Sequence, residues 1–473
     1  MHPLGLAATC AALASGLLAQ DVGVTLLRRV PAQGRLSGVW GHRSADGREL
    51  AIVGEEPSLW IVETTDPTNP VTVARFSAPT SRWREVTSFG NHVYAVSEHH
   101  AGVRIVDVSN PSAPLDLGYR HQASFSRAHT ISIDPDRGHL YVNGTNAGMF
   151  ILDLRASPTN PPEIGRYTLA YVHDITVRRG RGYASEVNAG RLRILDVSNP
   201  AQLNQAGATL SRFATPGAFT HSSWISRDDR LLITADEINS SFLQAYDVTI
   251  PGLPIALGGY QTVGFIVHNV LMIGRTGYIA HNAEGFHMVD LADPANITRV
   301  ARYDTSAFGA NAGFEGAWGV YPFADSGVVY ATDRAEGLYL LRVDVGHLNR
   351  YGRATSGAGR TPRIEPESAT PRVGAAGFEV RIDGLVPHAP MAVLVSANQG
   401  FLSVFGIDVH VDLGQVVVLT GGADASGEAR VPLPIPANPG LANQRVYLQV
   451  IAADAAGPQG LTASRGTWFG IAP

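Results

Sequence analysis

Lysine is absent from all 473 residues, so the 36 cations set against 41 acids are every one arginine. That excludes Schiff-base catalysis, a P-loop and a kinase-type active site, each of which needs a lysine amine. Cysteine is nearly absent too, and the single one, Cys10, lies in the N-terminal stretch read below as a removed leader. Without it there is no disulfide, no thiol nucleophile and no thiolate for zinc. A net charge of −5 lacks the basic footprint of a nucleic-acid binder. No later run of about 18 apolar residues passes without a charge or a turn, so no transmembrane segment is expected. Neither Gly-x-Ser-x-Gly nor His-Glu-x-x-His occurs. What is present is a globular composition, 45% hydrophobic and 16% charged, with material for roughly two to four domains.

Residues Leu4 to Leu18 form an apolar stretch too short to span a bilayer, and it ends at the small residue Ala19 before polar Gln20 and Asp21. Residues 1–19 therefore read as a secretory signal peptide, and the protein as exported, to the periplasm or the cell surface.

Periodicity fixes the expected architecture. Apolar strings closing on an acid recur as Leu59-Trp-Ile-Val-Glu63, Val103-Arg-Ile-Val-Asp107, Phe150-Ile-Leu-Asp153, Leu192-Arg-Ile-Leu-Asp196, Ala245-Tyr-Asp247 and His287-Met-Val-Asp290, with Leu338 to Arg342 as a seventh copy lacking the acid. About 23 residues before each stands a second recurrent site: Trp40, Arg84, His129, His173, His221, His268 and Trp318, spaced by 44, 45, 44, 48, 47 and 50 residues. Two short apolar runs and a polar turn lie between the two marks, and an Asn-Pro or Asp-Pro turn with a further strand often follows. Each unit reads as four antiparallel strands, which makes the fold class all-β, a seven-bladed propeller over residues 20–345. The last unit lacks its fourth strand, and Val24 to Val30 resembles one. It is expected to close the ring, since an open blade would expose an edge. A Gly/Ser/Thr-rich stretch marks a linker over 346–364. Short alternating runs beyond it suggest a small β-sandwich over 365–473 as an accessory domain.

The strings Val103 to Pro114 and Leu192 to Pro200 resemble the LVIVD repeats of secreted bacterial β-propellers. More narrowly the chain is similar to the choice-of-anchor B family, through Trp83-Arg-Glu85, His173-Asp174, His221-Ser-Ser-Trp224, Asp236-Glu237, His268-Asn269 and Gly316 to Phe323. The resemblance implies a propeller fold and an exported location, and brings no known reaction.

In a blade the first strand starts, and the second ends, on one face of the ring. The recurrent sites should therefore share a rim with polar residues ending the second strands. The expected neighbours are Glu98 by Arg84, Asn143 by His129, Glu186 by His173, Asp236 and Glu237 by His221, His281 by His268, and Asp333 by Trp318; Asp174 adds a carboxylate next to His173. Such a rim suits a protein or carbohydrate ligand. Its imidazoles, His129, His173, His221 and His268, also suit a divalent metal and hence a metal-dependent hydrolase or lyase. Repeats equally produce a ring of histidines that bridge blades through backbone. Asp134 to Gly138, Arg227 to Arg230 and Ala45 to Arg48 read as turns on the opposite face.

Overall fold

The computed structural model describes residues 21–473, so the signal-peptide reading of 1–19 and Cys10 lie outside the described residues. Seven four-stranded antiparallel sheets follow one another. Their innermost strands are Leu36–Arg43, Arg84–Phe89, Ile131–Asp134, Asp174–Arg178, Thr220–Ile225, Asn269–Ile273 and Ala317–Tyr321, in blades 1 to 7. Each innermost strand packs on the next, and Ala317–Tyr321 returns to Leu36–Arg43, so the blades close into a propeller. Val24–Val30 pairs antiparallel with Gly337–Val343 and completes blade 7.

The recurrent apolar strings explain the ring. Successive side chains of a strand point to opposite faces, and here each face of a blade meets a different neighbour. Leu50 and Ile52 pack against blade 2, with Val93 and Val106. Ala51 and Val53, on the same strand, pack against Tyr330 and Leu340 of blade 7. Seven apolar clusters result among the described residues, one at each blade interface. The closing acid ends the third strand: Asp107, Asp196 and Asp247 each accept a bond at 2.8–2.9 Å from the backbone N–H two residues on. That is a local turn device, which is why it recurs with the fold.

Beyond the ring, Asn349–Tyr351, Gly466–Gly470, Arg445–Ala453, Pro390–Ser396 and Val417–Gly422 form one sheet in that order. Arg363–Pro366, Glu379–Asp383 and Ala429–Pro432 form a second. Both contribute to one apolar cluster, through Val393, Leu448 and Phe469 from the first and Ile364, Val380 and Val431 from the second. Residues 346–364, expected as a linker, belong largely to this module. Leu348 is in its core, Asn349–Tyr351 is an edge strand, and Thr355 donates its N–H to Ala463 O at 2.8 Å. Composition suggested a tether, but backbone pairing to the C-terminal strand holds it.

The module caps the face opposite the histidines. Arg227 reaches Glu428 at 2.6 Å, Arg372 reaches Asp290 at 3.2 Å, and Asp325 holds Arg363 and Arg465 at 3.0 and 3.1 Å. No helix among the described residues is long and apolar enough to cross a membrane.

Candidate functional site at the channel mouth

The innermost strands surround an axial channel of about 530 Å³. Its register is set by bonds that step from blade to blade. Thr332 Oγ1 donates to Ser37 O at 2.6 Å, and Ser37 Oγ to Arg84 O at 2.8 Å. Thr130 Oγ1 donates to His173 O at 2.5 Å, and Ser222 Oγ to His268 O at 2.9 Å. His173 Nδ1 donates to His221 O at 3.1 Å, and His268 Nδ1 to Trp318 O at 2.7 Å. The ring position of blade 1 is therefore Ser37. Trp40, expected there, sits deeper in the channel with Tyr321 and Phe323, at ring separations of 5.1 and 6.3 Å. Blade 1 carries a small serine instead of a ring there, and Trp40, three residues on, is the large side chain nearest the repeat spacing.

Four imidazoles and an indole line the mouth in tilted contact, with 41° to 54° between neighbouring planes. His129, His173, His221 and His268 follow one another at centroid separations of 4.3 Å, and His268 lies 3.9 Å from Trp318. Arg334 covers the other side of that indole at 4.4 Å. Carbonyl oxygens only accept, so His173 and His268 carry their protons on Nδ1 and turn the Nε2 lone pair to the centre. Glu237 faces two of these rings, with Oε2 3.5 Å from His221 Nε2 and Oε1 3.3 Å from His268 Nε2. Glu98 meets His129 Nδ1 at 2.6 Å. Donor atoms of His129, His173 and His221 lie within 4.8 Å of one another, as do those of His221, Glu237 and His268. His221 belongs to both sets.

Electrostatics suit metal ligation. Burial, and then the neighbouring rings, hold His173 and His221 well below the ordinary histidine range; burial does the same for His268. Burial also pushes the Glu237 carboxyl up to about 8. At neutral pH the His221–Glu237–His268 set is thus uncharged, and its His–Glu contacts are not ion pairs. A divalent cation would replace the Glu237 proton and find neutral imidazoles ready.

Several expected partners are elsewhere, because the polar ends of second strands lean over the neighbouring blade or into their own. Glu98 meets His129 and not Arg84, whose guanidinium turns back to Glu55 O and Pro79 O at 3.2 and 2.8 Å. Glu186 is held by Arg193 and Arg212 at 2.5 and 2.9 Å, within blade 4. Asp236 accepts from Thr215, Gly217 N and Phe219 N and orders their loop. Asp333 accepts from Thr305, Ala335 N and Glu336 N, a turn cap. His281 joins a separate cluster with Glu284 and His287.

The sequence reading missed Glu85, which lies in the same channel as Asp174. Both occupy the position after a ring residue, where the other blades place Gly38, Thr130, Ser222, Asn269 and Gly319. A polar residue at an innermost strand position was the available signal. Burial raises Asp174 to about 6 and Glu85 to about 8. Glu85 accepts a bond from Trp318 Nε1 at 3.3 Å, and a side chain at Gly38 would overlap its carboxyl.

Glu85 gives a pH test. Its carboxyl titrates near 4.5 when unperturbed and near 8 in the fold. The folded state therefore binds the extra proton, and this contribution to stability falls as pH rises between those values. Glu85→Gln keeps the shape without the charge. Urea unfolding at about pH 5 and about pH 8 should show the variant gaining on the parent by several kcal/mol, at about 1.4 kcal/mol per pKa unit. An unchanged difference would refute the assignment.

The LVIVD repeat is matched at residues 84–118, 182–210 and 267–305. No curated protein matches the chain. Among solved structures, the β-propeller domain of Myceliophteria thermophila Cps50 (Swd1) is similar at a TM-score of 0.49 and 10% identity, over 67% of this chain and 98% of that one. The closed ring of seven blades and the matched segments make this chain a β-propeller carrying LVIVD repeats.

Proposed function

We propose that this is an exported binding propeller whose channel mouth takes a divalent transition metal on His221, His268 and Glu237. His173, His129 and Glu98 extend the site toward solvent, and the loaded rim is the face offered to a protein or carbohydrate ligand. One observation carries the reading: a single carboxylate spans Nε2 of two adjacent, buried, neutral imidazoles at 3.5 and 3.3 Å. Two imidazoles and a carboxylate suit zinc and its neighbours. The bond from His268 Nδ1 to a backbone carbonyl is the outer contact that orients a metal-bound ring. Histidines serving only to bridge blades would need no shared carboxylate. Export rests on the leader-like N-terminus and on the resemblance to choice-of-anchor B proteins, and the C-terminal module is read as a β-sandwich accessory domain.

A second reading, a metal-dependent hydrolase or lyase, is favoured by Glu85 and Asp174. Burial keeps both partly protonated near neutral pH in the same channel, as a proton donor requires. Two measurements test the readings. Cobalt(II) titrated into chelator-treated protein should give visible ligand-field absorption, of which about one equivalent is lost with His221→Gln and His268→Gln; an unchanged titration would refute metal binding at the rim. Hydrolysis of ester or phosphate substrates, lost with chelator and with Glu85→Gln, would move the reading to the enzyme.

A further inference from the structure

The turn between the second and third strands of blade 6 reads His281-Asn-Ala-Glu-Gly-Phe-His287 and takes no part in the channel mouth. Thr276–Ala280 pairs with Phe286–Asp290 so that Ala280 faces Phe286. His281 therefore stands just past one strand end, and His287 just inside the other. His281 N donates to Gly285 O at 2.8 Å and Glu284 N to His281 O at 2.9 Å, which folds Glu284 back over both rings. Gly285 has φ +86°, and a side chain there would overlap Tyr303 O, so the turn needs glycine.

All three side chains are buried, at 0% exposure for both histidines and 5% for Glu284. Glu284 Oε2 is 3.9 Å from His281 Nδ1 and 3.7 Å from His287 Nε2, and the rings are 4.7 Å apart. Both nitrogens of His281, Nε2 of His287 and Oε2 of Glu284 are buried without a hydrogen-bond partner. Each such orphan costs about 1–3 kcal/mol, and three of them, His281 Nδ1, His287 Nε2 and Glu284 Oε2, lie close enough to share one partner. The outward atoms are held: His287 Nδ1 by the Tyr260 hydroxyl at 2.8 Å, and Glu284 Oε1 by Arg299 and Arg302 at 3.5 and 3.7 Å.

We propose that His281, Glu284 and His287 form a second metal site, which takes one divalent transition ion independently of the channel mouth. Donors about 2.0–2.1 Å from zinc stand about 3 to 4 Å apart, and both Glu–His separations meet that spacing. Tyr260 on Nδ1 aims the Nε2 lone pair of His287 inward. The two arginines offset the only carboxylate, which disfavours calcium, a cation that needs several oxygen ligands. An ion here ties the ends of two blade strands to their turn, a structural staple.

The experiment measures zinc per chain by elemental analysis, on full-length protein purified without a metal-chelating tag, loaded with zinc and desalted. A His221→Gln/His268→Gln variant, lacking the rim donors, should keep about one equivalent, and adding His281→Gln/His287→Gln should remove it. In the otherwise unchanged chain the blade 6 pair alone should lower the content by about one. If that pair misfolds, Glu284→Gln, checked by circular dichroism, should weaken zinc binding by at least roughly 100-fold. Zinc content unaffected by the blade 6 substitutions, or a rim variant that holds none, overturns the proposal. Loss of zinc on substituting blade 6 but not the rim would overturn the rim reading alone.

Discussion

Deleting residues 22–31 should abolish the cooperative unfolding of the ring, or lower its midpoint by more than roughly 5 °C. Val24–Val30 supplies the fourth strand of blade 7 and pairs from Val24↔Val343 to Val30↔Leu338. Leu27 and Val30 pack on the cluster between blades 7 and 1, and Val24 on the cluster between blades 6 and 7. One short strand thus braces both interfaces of the closing blade. Lost ladder bonds at about 1 kcal/mol each, with partial burial of three apolar side chains, sum to roughly 5 kcal/mol. At about 2.1 cal/mol/K of unfolding entropy per residue, about 1 kcal/mol shifts the midpoint of a ring this size by roughly 1–2 °C. Deletion also bares Gly337–Val343 as an open edge, so aggregation should accompany the loss. Calorimetry of parent and deletion measures it, and midpoints within about 3 °C would mean that the ring does not depend on this closure.

The second large effect falls on His221. His221→Ala should weaken zinc binding at the rim by at least roughly 100-fold, while His129→Ala changes it by less than about tenfold. The asymmetry follows from position. His221 is the one imidazole shared by both donor sets, whereas His129 is the outermost ring, with Nδ1 engaged by Glu98. Without metal, His221→Ala should still cost about 1–3 kcal/mol of stability, because a buried ring packed between His173 and His268 leaves a cavity. Competition titration against a chromophoric chelator reads both affinities. Equal losses for His129 and His221, or none for either, would contradict the ligand set.

The blades were legible because each repeat must bury both faces of a strand against different neighbours, which imposes the Val103-Arg-Ile-Val-Asp107 type of string. The closing strand was legible from what the last repeat lacked. The row of histidines was found by spacing, but their partners were not. Glu98 to His129 and Glu237 to His268 are contacts between blades, and a reading of register within a blade cannot reach them. Glu186 was misjudged because Arg193 and Arg212, on the third and fourth strands of its own blade, neutralise it. Glu284 and His287 escaped notice because His287 lies in the closing apolar string of blade 6, where it looks like core.

The most direct measurement is anomalous diffraction at the zinc edge from crystals of zinc-loaded protein. The expected result is a peak about 2.0–2.1 Å from Nε2 of His221, Nε2 of His268 and a Glu237 oxygen. A channel mouth without such a peak, its rings bonded only to backbone and water, would contradict the metal-binding account.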